Sequence, residues 1–299
     1  MYFYCMYRCI LKKAVLAINL IITGFVATAQ KVMEPSNVPA EWAKPYPAFQ
    51  IAGNLYYVGT YDLASYLITT PQGHILINTG LAASASQIRA GVESLGFKFK
   101  DIRILLTTQA HYDHMGAMAE IKRITGAQMM VDSGDSSVVA DGGRSDYALG
   151  GNESAYEPVK IDRVLHDKDT VSLGGMHLTM LHHPGHTKGS CSYLFDVKDK
   201  WKSYRVLIAN MPTIVTEKSF SDIPAYPSIA KDYEYTLNAL KRQSFDIWLS
   251  SHASQFGLHT KHKPGNKYDP AAFIDKKGYD SMINDLQTEF LKKVKKSSL

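Results

Sequence analysis

One stretch, residues 102–119 (IRILLTTQAHYDHMGAMA), constrains this chain more than any other. The β-branched and aliphatic run Ile102–Leu106 predicts a buried strand. Ala117, Met118, Ile121 and Ile124 then recur at helical spacing. Between strand and helix lie Gln109, His111, Asp113 and His114, so four groups able to bind a transition metal occupy one short turn. That turn follows the carboxyl end of a strand, where α/β proteins usually keep their chemistry. A polar loop holding two solvated imidazoles would look similar one residue at a time. The clustering speaks against that reading, because two imidazoles three residues apart with a carboxylate between them are three groups that zinc binds well.

One turn cannot complete a zinc site. Two more histidines stand where strands are predicted to end, His186 in HHPGHTKGS and His252 in LSSHAS. Pro184 and Gly185 predict a tight turn ahead of His186, with Thr187 and Ser190 able to satisfy the nearby backbone. Either histidine alone would more often be structural; together with the 109–114 turn they point to a shared metal centre. His182 and His183 are neighbours on one strand, so one must face away, and both are read as structural or supporting residues.

Strands are predicted over residues 51–59, 64–69 and 74–78, then a helix over 84–95 stopped by Gly96. After the central stretch comes a strand at 128–132. Residues 132–146, rich in Gly, Ser and Asp, read as a mobile loop beside the site. The second half offers strands at 170–173, 177–182, 191–197, 204–209 and 245–249, a helix at 229–240 and an amphipathic helix at 283–291. Both halves, about 50–160 and 161–275, repeat a sheet-then-helix order, which predicts two sheets covered by helices on their outer faces. The Pro-rich segment 30–49 with Trp42 reads as an extended arm laid over the body.

Residues 1–29 read as an export leader. Arg8, Lys12 and Lys13 precede an apolar run over 14–26, and Ala27, Thr28 and Ala29 give the small-x-small pattern of a cleavage site. Met1 or Met6 can be the start. Cleavage removes three of the 33 basic residues and none of the 28 acidic ones, leaving residues 30–299 as a single domain with a formal charge of +2. That near-neutral balance gives no reason to expect nucleic acid as a partner. Only Cys191 survives cleavage, so no internal disulfide is available, and no later apolar run is long enough to span a bilayer. A periplasmic monomer, free of the membrane after cleavage, is expected.

On these residues the sequence resembles the metallo-β-lactamase family. Residues 109–114 are similar to its H-x-H-x-D-H motif with glutamine in the first place. Gly185-His186-Thr187 is similar to its second metal motif, His252 to its last histidine, and ILINTG at 75–80 to a signature in which aspartate is commoner than Asn78. More narrowly, NLYYVGTYDLASYLI, LLTTQAHYDH, LHHPGHTKGSCSYLF, RVLIANMP and SHASQF resemble subclass B3 enzymes of the GOB type. The resemblance, over about residues 50–260, implies an α/β fold, the αββα sandwich of two mixed sheets flanked by helices. It implies Gln109, His111 and His186 around one Zn(2+), and Asp113, His114 and His252 around a second, with the latter three as the catalytic group. Met211 lies near a position that ligates metal in another subclass and is not expected to do so here.

The implied reaction is zinc-dependent hydrolysis of the β-lactam amide in penicillins, cephalosporins and carbapenems, with metal lowering the pKa of a bound water. Ser190, Ser250 and Ser251 sit in no strained nucleophile elbow and are read as turn or supporting residues. An amide oxygen is a poorer zinc donor than an imidazole, so one or two zinc ions per chain both remain open. Lys261, His262 and Lys263 are candidate partners for a substrate carboxylate. Two rival readings stand beside this one. The first is a lactonase or thioesterase on the same scaffold, although residues 206–214 lack the bridging aspartate of glyoxalase II. The second is an exported zinc-binding protein without turnover.

Overall fold

The structure, a computed structural model, describes residues 31–297; the leader expected at residues 1–29 lies outside them. An N-terminal arm with the one-turn helix α1 (Ala40–Ala43) leads into β1 (Phe49–Ala52), β2 (Leu55–Tyr57), β3 (Tyr66–Thr70) and β4 (Gly73–Ile77), each antiparallel to the last. The order then becomes α2 (Ser84–Ser94), β5 (Ile102–Leu106), α3 (Tyr112–Met115), α4 (Met118–Thr125), β6 (Gln128–Asp132), α5 (Ser136–Ala140) and β7 (Arg163–Leu165). Strands β4 to β7 pair in parallel, so the seven-stranded sheet is mixed.

The second half supplies β8 (Thr170–Leu173), β9 (Met176–His182), β10 (Cys191–Lys198), β11 (Ser203–Ala209), α6 (Ile229–Lys241), β12 (Ile247–Ser250), α7 (Leu258–Lys261) and α8 (Lys276–Ser297). Its five strands run in the order β12-β11-β10-β9-β8, antiparallel except for the parallel β11–β12 pair. Two mixed sheets flanked by helices is the fold class that the sequence implied.

Side-chain alternation sets the layers. Tyr66, Ile68, Ile75, Ile77, Ile104, Leu106 and Met130 point inward and share one buried cluster with Leu178, Met180, Tyr193, Phe195, Val206 and Ile208 of the other sheet. Their neighbours in sequence, Leu67, Leu76, Leu105 and Met129, point outward and are covered by Ile88 and Val92 of α2 and Met118 and Ile121 of α4. Ile124, expected on that apolar face, is 36% exposed on the last turn of α4 before Gly126 ends the helix at φ 71. On the second sheet, Tyr233, Leu237 and Leu240 of α6 pack with Tyr279, Ile283, Leu286 and Phe290 of α8. Each such fully buried side chain contributes about 1.5–3 kcal/mol.

Three expectations need correction. The strand expected over 51–59 is broken by a turn at Gly53 and Asn54 into β1 and β2. The tail helix is longer than its apolar spacing showed. Residues 132–146 lie beside the site as expected but are not all loop: they hold a 3-10 turn, Ser133–Asp135, and α5, with Asp135 and Asp146 buried.

Topology collects strand ends at one edge. Because β9 and β11 are both antiparallel to β10, they run the same way, and β12 runs with them. The segments leaving β5, β9, β11 and β12 carry residues 107–114, 183–190, 210–213 and 251–252. Polar bonds between the two sheets bring these segments together. Tyr193 Oη donates to Thr107 O (2.9 Å), the Cys191 N–H to Thr108 O (2.8 Å) and Tyr66 Oη to Ser250 O (2.6 Å). Thr108 Oγ1 and Ser251 Oγ lie 2.8 Å apart.

Candidate metal centre

The turn after β5 is shaped by Asn78, which ends β4 at φ 61, a left-handed conformation that asparagine tolerates better than most side chains. Its Oδ1 accepts the Thr108 N–H (2.9 Å) while its Nδ2 donates to Thr108 Oγ1 (3.1 Å). Thr79 N–H donates to His114 O (2.9 Å). Residues 107–114 are thereby fixed to the end of the neighbouring strand.

Asp113, His114 and His252 converge, with one donor atom from each within 4.8 Å of the others. Asp113 Oδ2 lies 3.1 Å from His114 Nε2 and 3.3 Å from His252 Nε2. The far side of His252 is held by Asp62, whose Oδ2 is 3.1 Å from Nδ1 and whose Oδ1 accepts the Ser254 N–H at 2.9 Å. Burial pushes the Asp113 carboxyl up, but His114 and His252 beside it outweigh burial and hold it well below the usual carboxylate range. Burial likewise pulls the His252 imidazole down, yet the bonds to Asp113 and Asp62 win and raise it to about 9. Two carboxylates, Asp113 buried and Asp62 half-buried, therefore compete for one positive charge, the situation that a bound cation relieves.

His111 and His186 form a second group, their rings 4.9 Å apart at 61°. His186 Nδ1 lies 2.8 Å from Thr213 O, so its Nδ1–H can donate there and leave the Nε2 lone pair free. Burial first, then the neighbouring His111, pushes this imidazole down to about 3, keeping it neutral. His111 Nε2 faces Asp146 Oδ1 at 3.4 Å, long for a hydrogen bond. Gln109 Oε1 is buried without a hydrogen-bond partner, as are both ring nitrogens of His114. An orphaned acceptor in a buried site calls for a ligand. Nitrogen and oxygen donors with one carboxylate among them suit zinc.

The remaining candidates have other duties. Met211 is a core residue, 1% exposed. Cys191 is buried, and burial drives its thiol well above the ordinary value. His182 Nδ1 lies 2.8 Å from Asp132 Oδ2, and His183 Nδ1 lies 2.7 Å from Ser192 Oγ. Ser190 Oγ accepts the Thr187 N–H (3.0 Å) and Ser250 Oγ donates to Ala209 O (3.0 Å), as turn and supporting residues should. Lys261 is paired with Asp275 (2.9 Å) above the Trp248 ring, and His262 stacks on Phe49 at 3.6 Å. Both are occupied in packing, which leaves exposed Lys263 alone of the three suggested for a substrate carboxylate.

Sequence reasoning missed Trp42, Asp62, Asp135 and Asp146. The ring of Trp42, on α1, lies 5.5 Å from that of His252 and 6.2 Å from that of Tyr112, so the arm brings an aromatic wall to the candidate metal-binding side chains. The same arm is held by Glu34, whose Oε1 accepts the Ala82 N–H at 2.7 Å. An isolated tryptophan in a Pro-rich segment was the only signal for this contact.

A family model described as the metallo-beta-lactamase superfamily matches residues 60–199. The chain is 65% identical to the class B3 di-zinc metallo-beta-lactamase LRA-12 from an Alaskan soil metagenome, covering 88% of this chain and 100% of that one with a TM-score of 0.87. It is 54% identical to the metallo-beta-lactamase GOB-18 from Elizabethkingia meningoseptica, covering 90% and 99% with a TM-score of 0.89. A hydroxyacylglutathione hydrolase from Rhodospirillum rubrum is 32% identical over 111 residues, 37% of this chain and 35% of that protein. The match thus spans about a third of that curated relative's length.

Proposed function

Since the chain belongs to the metallo-β-lactamase superfamily, we propose that it is a subclass B3 β-lactamase that uses zinc to hydrolyse the β-lactam amide. Asp113, His114 and His252 hold one ion, and Gln109, His111 and His186 hold a second. The observation that carries this reading is the convergence of the Asp113 carboxylate on two imidazoles beside the His111–His186 pair. The orphaned Gln109 oxygen supports the second ion.

Zinc held by these residues would supply Lewis acidity for the lactam carbonyl and a bound water acidic enough to react near neutral pH. Everything else falls to the chain. Asp113 is held ionised, so it ligates and orients water rather than carrying a proton. Asp62 and Thr213 turn the Nε2 lone pairs of His252 and His186 toward the site. Hydrolysis adds one water across the amide, its oxygen to the carbonyl carbon and a proton to the ring nitrogen as the C–N bond breaks. Trp42 and Tyr112 offer aromatic faces to the substrate's side groups.

Penicillins, cephalosporins and carbapenems are substrates, monobactams are not, and inhibitors that acylate a serine have no target. Among thioesterase-like rivals a bridging aspartate is expected near residues 206–214, where this chain has the buried Met211 instead. Residues 1–29 direct export to the periplasm and are removed. Among the described residues no helix is long and apolar enough to cross a membrane.

The test is a zinc titration of the metal-free mature chain that follows imipenem hydrolysis and bound metal together. Turnover rising with the first equivalent is expected if the Asp113 group holds the working ion, and turnover only with the second if both are needed. No hydrolysis of any β-lactam at full occupancy, with turnover of a homoserine lactone or a thioester, would overturn the assignment.

A further inference from the structure

We propose that Asp135 is a positioning residue that sets the separation between the loop carrying Gln109 and His111 and the loop carrying His186. It would thereby set the metal affinity of that ligand group; the inference rests on the ligand assignment above. Asp135 is 0% exposed and lies in the 3-10 turn before α5. Its Oδ2 accepts the Ala110 N–H at 2.9 Å and the Thr187 hydroxyl at 2.7 Å, and its Oδ1 accepts the Gly189 N–H at 2.7 Å. Ala110 lies between Gln109 and His111 in sequence, and Thr187 follows His186. One carboxylate therefore spans the two loops from beneath.

Three further contacts fix the geometry. The Ala110 peptide is held on its other side by Tyr156, whose hydroxyl lies 2.8 Å from Ala110 O. Glycines let the Asp135 turn press against the 187–190 loop: a Cβ on Gly189 would fall 2.1 Å from Asp135 N, and one on Gly134 would fall 2.3 Å from Lys188 O. The backbones meet with no room for a side chain between them. Asp132 secures the turn, its Oδ1 accepting the Gly134 N–H at 2.8 Å. Three donors on two different loops satisfy the carboxylate, so its removal leaves both loops with buried donors and no common acceptor.

Asparagine at this position keeps the shape but turns one acceptor oxygen into a donor facing another donor. Displacing a residue that supports metal ligands typically costs 10–100-fold in metal affinity. Cobalt(II) and zinc binding are measured on the metal-free mature chain for the parent, Asp135→Asn, Thr187→Val and Gln109→Ala, with thermal unfolding of each metal-free form. Gln109→Ala identifies which equivalent belongs to the Gln109 group. Asp135→Asn is expected to weaken that same equivalent about 10–100-fold and shift its cobalt spectrum, leaving the other within about twofold. Thr187→Val, which removes one bond and keeps the carboxylate, is expected to weaken it about 3–10-fold and keeps the test alive if Asp135→Asn does not fold.

A fall in unfolding temperature with both equivalents bound as in the parent would overturn the proposal and leave the ligand assignment intact. Unchanged binding of both equivalents in Gln109→Ala would overturn the ligand assignment, and the proposal with it.

Discussion

Replacing Asp62 by asparagine changes one oxygen to an amide nitrogen at the residue that holds His252. In the native chain Oδ2 faces His252 Nδ1 at 3.1 Å and Oδ1 accepts the Ser254 N–H at 2.9 Å, so both oxygens act as acceptors. A carboxylate there keeps the ring proton on Nδ1 and the lone pair on Nε2, which lies 3.3 Å from Asp113 Oδ2. In Asp62→Asn the amide nitrogen must face one of two donors. Facing Nδ1, it drives the proton to Nε2 and blocks ligation; facing Ser254, it sets N–H against N–H and leaves the ring a neutral amide acceptor in place of a carboxylate. Either arrangement loses a hydrogen bond to a charged acceptor, worth about 1.5–3 kcal/mol, or about 10–150-fold in a dissociation constant. Chelator competition should show zinc affinity for the Asp113 group falling by that factor. Hydrolysis of a chromogenic cephalosporin at limiting zinc should fall in parallel. Asp62→Ala, which leaves the tautomer unbiased, should lose less metal affinity but more thermal stability through the unpaired Ser254 N–H. Zinc affinity within twofold of the parent in a folded Asp62→Asn protein would refute the reasoning and assign the ring's orientation to Trp42 and the Leu63–His252 bridge.

Gln109→His restores an imidazole to the weaker ligand group, so the equivalent lost in Gln109→Ala should bind zinc at least about 10-fold tighter than in the parent, measured by chelator competition. An unchanged affinity would mean that Gln109 does not face the metal. Trp42→Ala should raise KM for cephalosporins about 2–10-fold with kcat within twofold, the size of one lost aromatic contact; a fall in kcat alone would sink the substrate-wall role. His183 concerns stability against pH. Burial holds its imidazole down at about 3, against an ordinary 6.5. Below about pH 6.5 the unfolded chain takes up this proton and the folded chain does not, so stability falls as pH drops through that window. Between about pH 7 and pH 4.5 the loss is on the order of 2–3 kcal/mol, and His183→Asn should remove it. Denaturant midpoints of the metal-free chain at both pH values measure this, and equal losses in the two proteins would contradict it.

Much of the candidate centre was legible because its proposed ligands lie close together in sequence or directly after strands. A short run such as Ile102–Leu106 followed by Gln109, His111, Asp113 and His114 carries its chemistry in local order. Short apolar runs, buried on both faces, marked β4 to β6, and period-two alternation marked β8 to β10, since burial on a sheet face is a local property of the chain itself. Element edges were less exact. β1 and β2 read as one strand because a tight turn interrupts an otherwise apolar run, and α8 was shortened because Gly278 stands in its first turn as a helix-disfavouring residue, although Tyr279 beside it is buried.

Tertiary structure alone decided what supports the ligands. Asp62 meets His252 across 190 residues of chain, and Asp135 meets Gly189 across 54. Neither carboxylate has a motif, since what defines its role is the meeting of distant strand ends. Lys261 looked like a cation free for substrate until Asp275 and the face of Trp248 were seen to occupy it. Sequence by itself determined the donor types and the strands that present them, because both are local properties. Only the packing of the two sheets decided which donors meet, which lone pairs point inward and which carboxylates hold them, because those depend on contacts that no local pattern encodes.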